Sequence, residues 1–356
     1  MQTVLALSVY VPRQLTRLRF LLLCICALLV VSATGPLALQ YQIRDLGTFG
    51  GILSRAHDIN DSGQIVGNYY SGSNTHAFLW QEGGPIQDVG ILGDTYNQAN
   101  GINNEGQVVG CSSSHSFLWQ NGSLQNMDML GDEPNEPCDI NDNGLVVGNF
   151  SNHGFLWQSG SPIQNLSALI RAQDINNAGQ VVGWSAGAGG QEHAILWHNG
   201  MAQDLGALGS TSSYAYAINN IGQVVGFSGN HAFLWENGSM QDLGTIGDTR
   251  SQAYGINDNG QVVGVLFDND GGMGAEPSNA FVWQDGAMQV LDTLGGRYSR
   301  AYAINSNGLI VGYSTDAAGY EHAVLWEPIP EPSSLTALAL GLLPLGATLA
   351  RRRKRH

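Results

Sequence analysis

The chain repeats one motif seven times. An Ile-Asn pair, a glycine-containing turn and Val-Val-Gly or a near variant recur as "DINDSGQIVG", "GINNEGQVVG", "DINDNGLVVG", "DINNAGQVVG", "AINNIGQVVG", "GINDNGQVVG" and "AINSNGLIVG". The asparagines are Asn60, Asn103, Asn141, Asn176, Asn219, Asn257 and Asn305, spaced by 43, 38, 35, 43, 38 and 48 residues. A second block, "HAFLW" or close to it, follows each one and ends on Trp80, Trp119, Trp157, Trp197, Trp235, Trp283 or Trp326. A period near 40 residues describes a supersecondary unit too small to bury a core alone, so every unit must stack on its neighbours.

Each unit reads as four short strands. The first ends at Ile-Asn, a tight turn leads to "QVVG", a variable loop leads to "HAFLW", and a turn such as "QNG", "HNG" or "ENG" leads to "QDLG". Asn-Gly between apolar runs predicts a two-residue hairpin, because a type I′ turn needs positive φ at both central positions. In the first "HAFLW", Ala77 and Leu79 face one side and Phe78 and Trp80 the other, so both faces of the sheet are apolar. A sheet with one wet face would alternate with polar residues. Four-stranded sheets apolar on both sides, at this period, predict an all-β fold of the β-propeller type.

The segment "YQIRDLGTFGG", Tyr41 to Gly51, carries the end of a unit before any unit has begun. The seventh unit stops at "HAVLWEP" with no fourth strand of its own. The expectation is a seven-bladed propeller of four-stranded blades over residues 41–327, with Tyr41 to Leu46 completing the last blade and removing an exposed edge. The repeat resembles the HAF family of extracellular repeats, named for the tripeptide seen as His76-Ala77-Phe78 and His231-Ala232-Phe233. The resemblance covers Tyr41 to Trp326 and implies a secreted bacterial protein; it carries no chemistry with it.

The two ends read as export segments. Arg13, Arg17 and Arg19 precede an apolar run from Phe20 to Val31 and small residues ending at Ala33, the order of a secretory signal over residues 1–33 with cleavage after Ala33. Residues 328–356 form a second targeting segment: an uncharged run from Ser333 to Ala350, interrupted by Pro344, precedes the basic tail "RRRKRH". Eighteen residues of helix reach about 27 Å, enough to cross a bilayer with the basic tail on the cytoplasmic side. Pro330-Glu331-Pro332, the apolar span and the terminal arginines together resemble the PEP-CTERM sorting signal of Gram-negative, exopolysaccharide-producing bacteria. That resemblance implies processing by an exosortase at Pro330, Glu331 and Pro332, and transient anchoring in the inner membrane by the 333–350 helix.

Without the signal segment and the basic tail, six of the 14 basic residues remain against 29 acidic ones, a formal charge of about −23. Such a domain repels nucleic acid and anionic lipid. Cys24 and Cys26 lie in the signal segment, which leaves Cys111 and Cys138 as candidates for either a disulfide or two separate buried thiols.

Few residues call for chemistry. His76, His115, His153, His193, His231 and His322 share one repeat position with Asn279. Equivalent positions on seven blades cannot converge on one zinc ion, so these read as structural hydrogen-bond donors. The insertion "LFDNDGGMGAEPSN" offers Asp268, Asn269 and Asp270 as hard ligands for calcium, the one candidate cofactor, although an acidic turn explains the same residues. Trp184 falls outside the tryptophan pattern and is a candidate for stacking on a sugar ring. Asp58, Asp139 and Asp174 share a position that elsewhere holds Gly or Ala, which reads as crowding near the centre. The chain has no HExxH motif or P-loop. The function expected is therefore non-enzymatic: a secreted or cell-surface binding or structural propeller whose partners are the exosortase and an exopolysaccharide or a surface protein. The alternative is a carbohydrate-active hydrolase, which needs two carboxylates about 5 to 10 Å apart.

Overall fold

The structure is a computed structural model that describes residues 40–330, apart from 91–93, 114, 128–134, 151–152, 188–189, 210–211, 248–249 and 268–276. Ala33, Asp268, Asn269, Asp270, Glu331, Pro332 and the 333–350 span lie outside the described residues. Among the described residues there are 28 strands and no helix, hence none long and apolar enough to cross a membrane.

Units one to five each form a four-stranded antiparallel sheet whose strand order follows the chain. In the first, Leu53–Ile59, Ile65–Ser71, Asn74–Trp80 and Gln87–Asp88 pair in succession. Units six and seven share an eight-stranded sheet, joined by a single parallel pairing of Ser278 with Tyr298. At its far edge Gln40–Gly47 lies antiparallel to Glu321–Ile329, with Ile43 opposite Trp326. The opening segment thus supplies the strand that the seventh unit lacks.

The Asn-Gly turns take the expected form: Asn121 and Gly122 have φ of 50° and 80°, and Asn199-Gly200, Asn237-Gly238 and Asp285-Gly286 repeat the pattern. The turns between first and second strands are built differently. There only the glycine has positive φ, 73° at Gly179, while the preceding asparagine side chain holds the loop. Asn176 Oδ1 accepts from the Ala178 and Gln180 amides at 3.1 and 3.0 Å, and its Nδ2 donates to Gln180 Oε1 at 2.7 Å.

The same Nδ2 reaches the next unit. Asn60 donates to the Asn103 carbonyl, Asn103 to Asn141, Asn141 to Asn176, Asn176 to Asn219, Asn219 to Asn257, Asn257 to Asn305, and Asn305 to Asn60, all at 2.9 to 3.0 Å. All seven side chains are buried, so each bond forms where water cannot replace it. A second tie joins third strands to the following first strands: the Ala194, Ala232, Ala280 and Ala323 amides donate to the hydroxyls of Ser213, Ser251, Ser299 and Ser54.

The apolar core lies between sheets, as two-faced strands require. Val66, Ala77 and Leu79 of unit one pack on Ile102, Val108 and Trp119 of unit two, while Ile65 and Phe78 turn the other way onto Val311, Ala323 and Leu325 of unit seven. Phe78, Phe117, Phe155, Phe233, Phe281 and Trp326 are fully buried in this way.

Removing one member of the asparagine circuit should be costly. Asn176→Ala leaves two loop amides without partners and removes the tie to the Asn219 carbonyl, which keeps the Gly222 amide alone, and should lower the unfolding free energy in urea by about 2 to 4 kcal/mol. An exposed change such as Asn237→Asp should stay within about 0.5 kcal/mol.

Candidate functional site

Every first strand carries a β-bulge at the same place, after Ala56, Ala99, Pro137, Ala172, Ala215, Ala253 and Ala301. The glycine of Val-Val-Gly makes room for it. A Cβ on Gly67 would lie 2.0 Å from the Arg55 carbonyl oxygen, and one on Gly312 would lie 1.9 Å from that of Arg300. The extra residue in each bulge is His57, Asn100, Cys138, Gln173, Tyr216, Tyr254 or Tyr302. A bulge re-aims its side chain, and here all seven extra residues face one cavity.

That cavity has a volume of about 170 Å³ and is lined by the seven bulge residues together with Asp58, Asp139, Asp174, Ala217, Gly255, Ala303, Ile256 and Ile304. A second cavity of about 200 Å³ continues from it, lined by the repeated Ile-Asn pairs and the residue after each. Asp58, Asp139, Asp174, Ile256 and Ile304 line both and mark the level where they meet. The Ile-Asn end looks nearly the same from every unit. The bulge end differs from unit to unit, and this is what a ligand with a defined shape requires.

Aromatic rings fill one side of the bulge end. Tyr216 lies 5.3 Å from Tyr254 and Tyr254 lies 5.8 Å from Tyr302, centroid to centroid. Trp184 extends this arc, edge-on to Tyr214 at 5.4 Å and to Tyr216 at 6.0 Å, with Phe227 stacked on Tyr214 at 4.7 Å. Tyr313 continues it beyond Tyr302 at 6.0 Å. Except for Tyr313 these rings are half-buried and so keep part of their surface open. Burial raises the Tyr216 hydroxyl to about 12 and pushes Tyr254 up as well, so both are neutral donors at physiological pH. The facing side is polar: Asn100 donates to the Pro137 carbonyl at 2.6 Å, with Gln173 and Cys138 beside it.

The carboxylates at the junction serve first as ties. Asp58 accepts from its neighbour Ile59 at 2.8 Å and from Ile102 of the next unit at 2.8 Å. Asp174 does the same with Ile175 and Ile218, both at 2.7 Å, and Asp139 accepts from Ile175 at 3.2 Å. A Cβ on Gly101 would meet Asp139 Oδ1 at 3.0 Å, so the small residues of this column make room for the acids of their neighbours. Burial first, and then the charge of Asp139, raises Asp58 to about 7; burial, Asp139 and a hydrogen bond shared with it hold Asp174 well above the usual carboxylate range.

His57 stays neutral. Burial lowers it to about 4, its Nε2 faces the Asn68 side-chain oxygen at 2.7 Å, and its Nδ1 accepts from Gln98 at 3.3 Å. Cys111 and Cys138 are free thiols, so the bridge that the sequence allowed is not formed; burial raises them to about 11 and about 12.

The repeated histidines lie away from the cavity. Nδ1 of His76, His193, His231 and His322 bonds the carboxylates of Asp88, Asp204, Asp242 and Asp45, at 3.2, 2.8, 2.7 and 3.0 Å. Each of these aspartates also caps the glycine two residues later, so the repeated Asp-Leu-Gly is a histidine-anchored turn. Among the described residues no three His, Cys, Asp or Glu side chains are grouped to hold a metal ion.

Of the residues singled out in the sequence, Asp58, Asp139, Asp174 and Cys138 line the cavity, and Trp184 borders it through Tyr216. Pro330 lies at the exposed end of the described chain. The tyrosines, His57, Asn100 and Gln173 were missed, and their signal was present: with Cys138 they form a column, just before Asp/Gly/Ala-Ile-Asn, that holds five residue types in seven units.

The acids give a pH dependence of definite sign. Between about pH 4 and 7 the folded chain holds a proton on Asp58 that the unfolded chain has lost, so this contribution to stability fades as pH rises. His57 acts oppositely, but only below its unfolded value near 6.5. From pH 6.5 to 8 the urea unfolding free energy should therefore fall, by about 1 kcal/mol, and Asp58→Asn should flatten that slope.

No family model matches the chain, and no curated protein resembles it in sequence. Solved structures do resemble it in fold. The β-propeller domain of the Trilobed protease from Pyrococcus furiosus superposes with a TM-score of 0.54 at 12% identity, over 78% of this chain and 94% of that one. The extracellular domain of a one-component system from B. thetaiotaomicron gives 0.49 at 11% identity, over 81% of this chain and 40% of that one. A gluconolactonase from Xanthomonas campestris gives 0.44 at 10% identity, over 82% and 90%. At such identities the first of these likenesses speaks to fold alone, and what it shows is that the chain is built as a β-propeller.

Proposed function

We propose that the chain is a closed seven-bladed propeller, exported and displayed at or released from the cell envelope, that binds a saccharide at its bulge end without turning it over. Closure is supported by the pairing of Gln40–Gly47 with Glu321–Ile329 and by the asparagine bonds that return from Asn305 to Asn60. The observation that carries the functional reading is the bulge column. It gathers His57, Asn100, Cys138, Gln173, Tyr216, Tyr254 and Tyr302 in one cavity, on a scaffold where most other first-strand positions repeat. Flat, half-open aromatic faces opposite neutral amide and imidazole groups suit the apolar faces and hydroxyls of a sugar ring. Export and sorting rest on the signal-like 1–33 segment and on the PEP-CTERM resemblance, with an exosortase as processing partner; an exopolysaccharide is the ligand that reading favours over a surface protein.

Binding is preferred to catalysis because the site's acids are already committed. Asp58 and Asp174 each accept two backbone amides, which fixes them as links between units. One observation favours the hydrolytic alternative: Asp58 titrates near 7, as a general acid would.

A polysaccharide panel separates the two. Binding without release of reducing ends supports the module, and Tyr254→Ala should weaken it about tenfold. Turnover abolished by Asp58→Asn would establish the hydrolase instead. Sorting is tested independently: Glu331→Ala should leave the protein in the inner membrane fraction, whereas normal release would remove the exosortase assignment.

A further inference from the structure

Arginine is scarce in this chain, and its placement is uneven. Of the six arginines outside the two end segments, three gather where the aromatic arc ends, on the first strands of units one, six and seven. Arg55 lies 5.1 Å over Tyr313, and Arg250 and Arg300 each lie 5.4 Å over Phe267. Arg55 is neutralised by a two-pronged contact with Glu321, at 2.5 and 2.9 Å. Arg300 is not. Its guanidinium bonds the Tyr302 hydroxyl, its Nε is buried without a hydrogen-bond partner, and among the described residues no carboxylate pairs with it.

A half-buried cation lacking an anion costs stability unless something else supplies the charge. In a chain with 29 acidic residues, a counter-ion for Arg300 would have been easy to provide. Arg300 instead touches Tyr302, whose ring lines the bulge cavity, so its free donors stand beside the surface on which a sugar would lie. The fork of an arginine matches a carboxylate in two parallel hydrogen bonds.

We propose that the ligand is an acidic saccharide: its rings lie along Tyr216, Tyr254 and Tyr302, and a uronate carboxylate reaches Arg300. This rests on the saccharide-binding reading above and adds a charge to it. The acidic surface does not forbid such a ligand, because fixed charges beyond about 8 Å are screened at physiological salt while the Arg300 contact is direct.

The test compares the full-length protein's affinity for oligogalacturonate and for a neutral cello-oligosaccharide of equal length. The acidic sugar should bind about tenfold more tightly at low salt, and the preference should shrink as salt rises from about 20 to about 500 mM. Arg300→Gln should abolish the preference; Arg300→Lys, which keeps the charge and loses the fork, should retain part of it. Equal affinity for the two sugars in the wild-type protein, or a salt-independent preference, would overturn the proposal while leaving saccharide binding intact. Competition by oligoglutamate as strong as by uronate would also overturn it, in favour of an acidic peptide. Binding of neither sugar would remove the saccharide reading itself.

Discussion

One buried side chain per unit does two jobs at once. Each repeated asparagine closes the turn between its own first and second strands, and with its remaining N–H it holds the carbonyl of the equivalent asparagine next door. Local and long-range structure therefore form together: the turn cannot take its shape unless the side chain is in place, and the side chain is fully satisfied only when the neighbouring unit has arrived. Aspartate could accept the two loop amides but has no N–H to donate onward, and glutamine is one methylene too long for a loop of this size. The residue is dictated by geometry on both counts, which is why the Ile-Asn pair is the least variable mark of the repeat.

The bulge separates scaffold from site. Because the Val-Val-Gly glycine admits the first-strand carbonyl to within about 2 Å of where a Cβ would sit, the strand gains one residue without losing its pairing on either side. Packing then constrains the alanine before the bulge and the isoleucine after it, and leaves the extra residue free to vary. Seven copies of this device give seven side chains that converge on one cavity and that the sheets do not need. An asymmetric pocket can thus be written onto a nearly symmetric frame by changing one column.

Much of the architecture was legible because it rests on period and turn chemistry. The unit boundaries, the Asn-Gly hairpins with positive φ at Asn121 and Asn199, and the early strand that belongs beside Trp326 all follow from local residue types. The histidines were legible as hydrogen-bond donors, but their partners were not: His231 and Asp242 lie on adjacent strands and meet only through the sheet register. The site was harder still. A bulge leaves no mark in a strand of ordinary composition, so Tyr216, Tyr254 and Tyr302 read as part of an alternating strand rather than as the wall of a cavity. Trp184 stood out only because it broke the tryptophan spacing, and its neighbours Tyr214 and Tyr216 belong to the next unit.

The three aspartates show how far a shared repeat position can mislead in either direction. As a column with glycine and alanine they look like filler, yet each binds an amide of the following strand, and Asp139 occupies the space that Gly101 vacates. As a cluster of acids in a cavity they look catalytic, yet their oxygens are taken up in holding units together. Both properties come from one cause, burial at the narrow junction of the two cavities. Burial makes the backbone bonds strong enough to tie neighbouring sheets, and the same burial makes a full set of negative charges too costly to sustain, so Asp58 and Asp174 hold their protons well above the usual carboxylate range. A protonated carboxyl at the junction below the tyrosines is an uncharged donor, so under the acidic-saccharide proposal Arg300, over Phe267 and against Tyr302, is the group left to read the charge of the ligand.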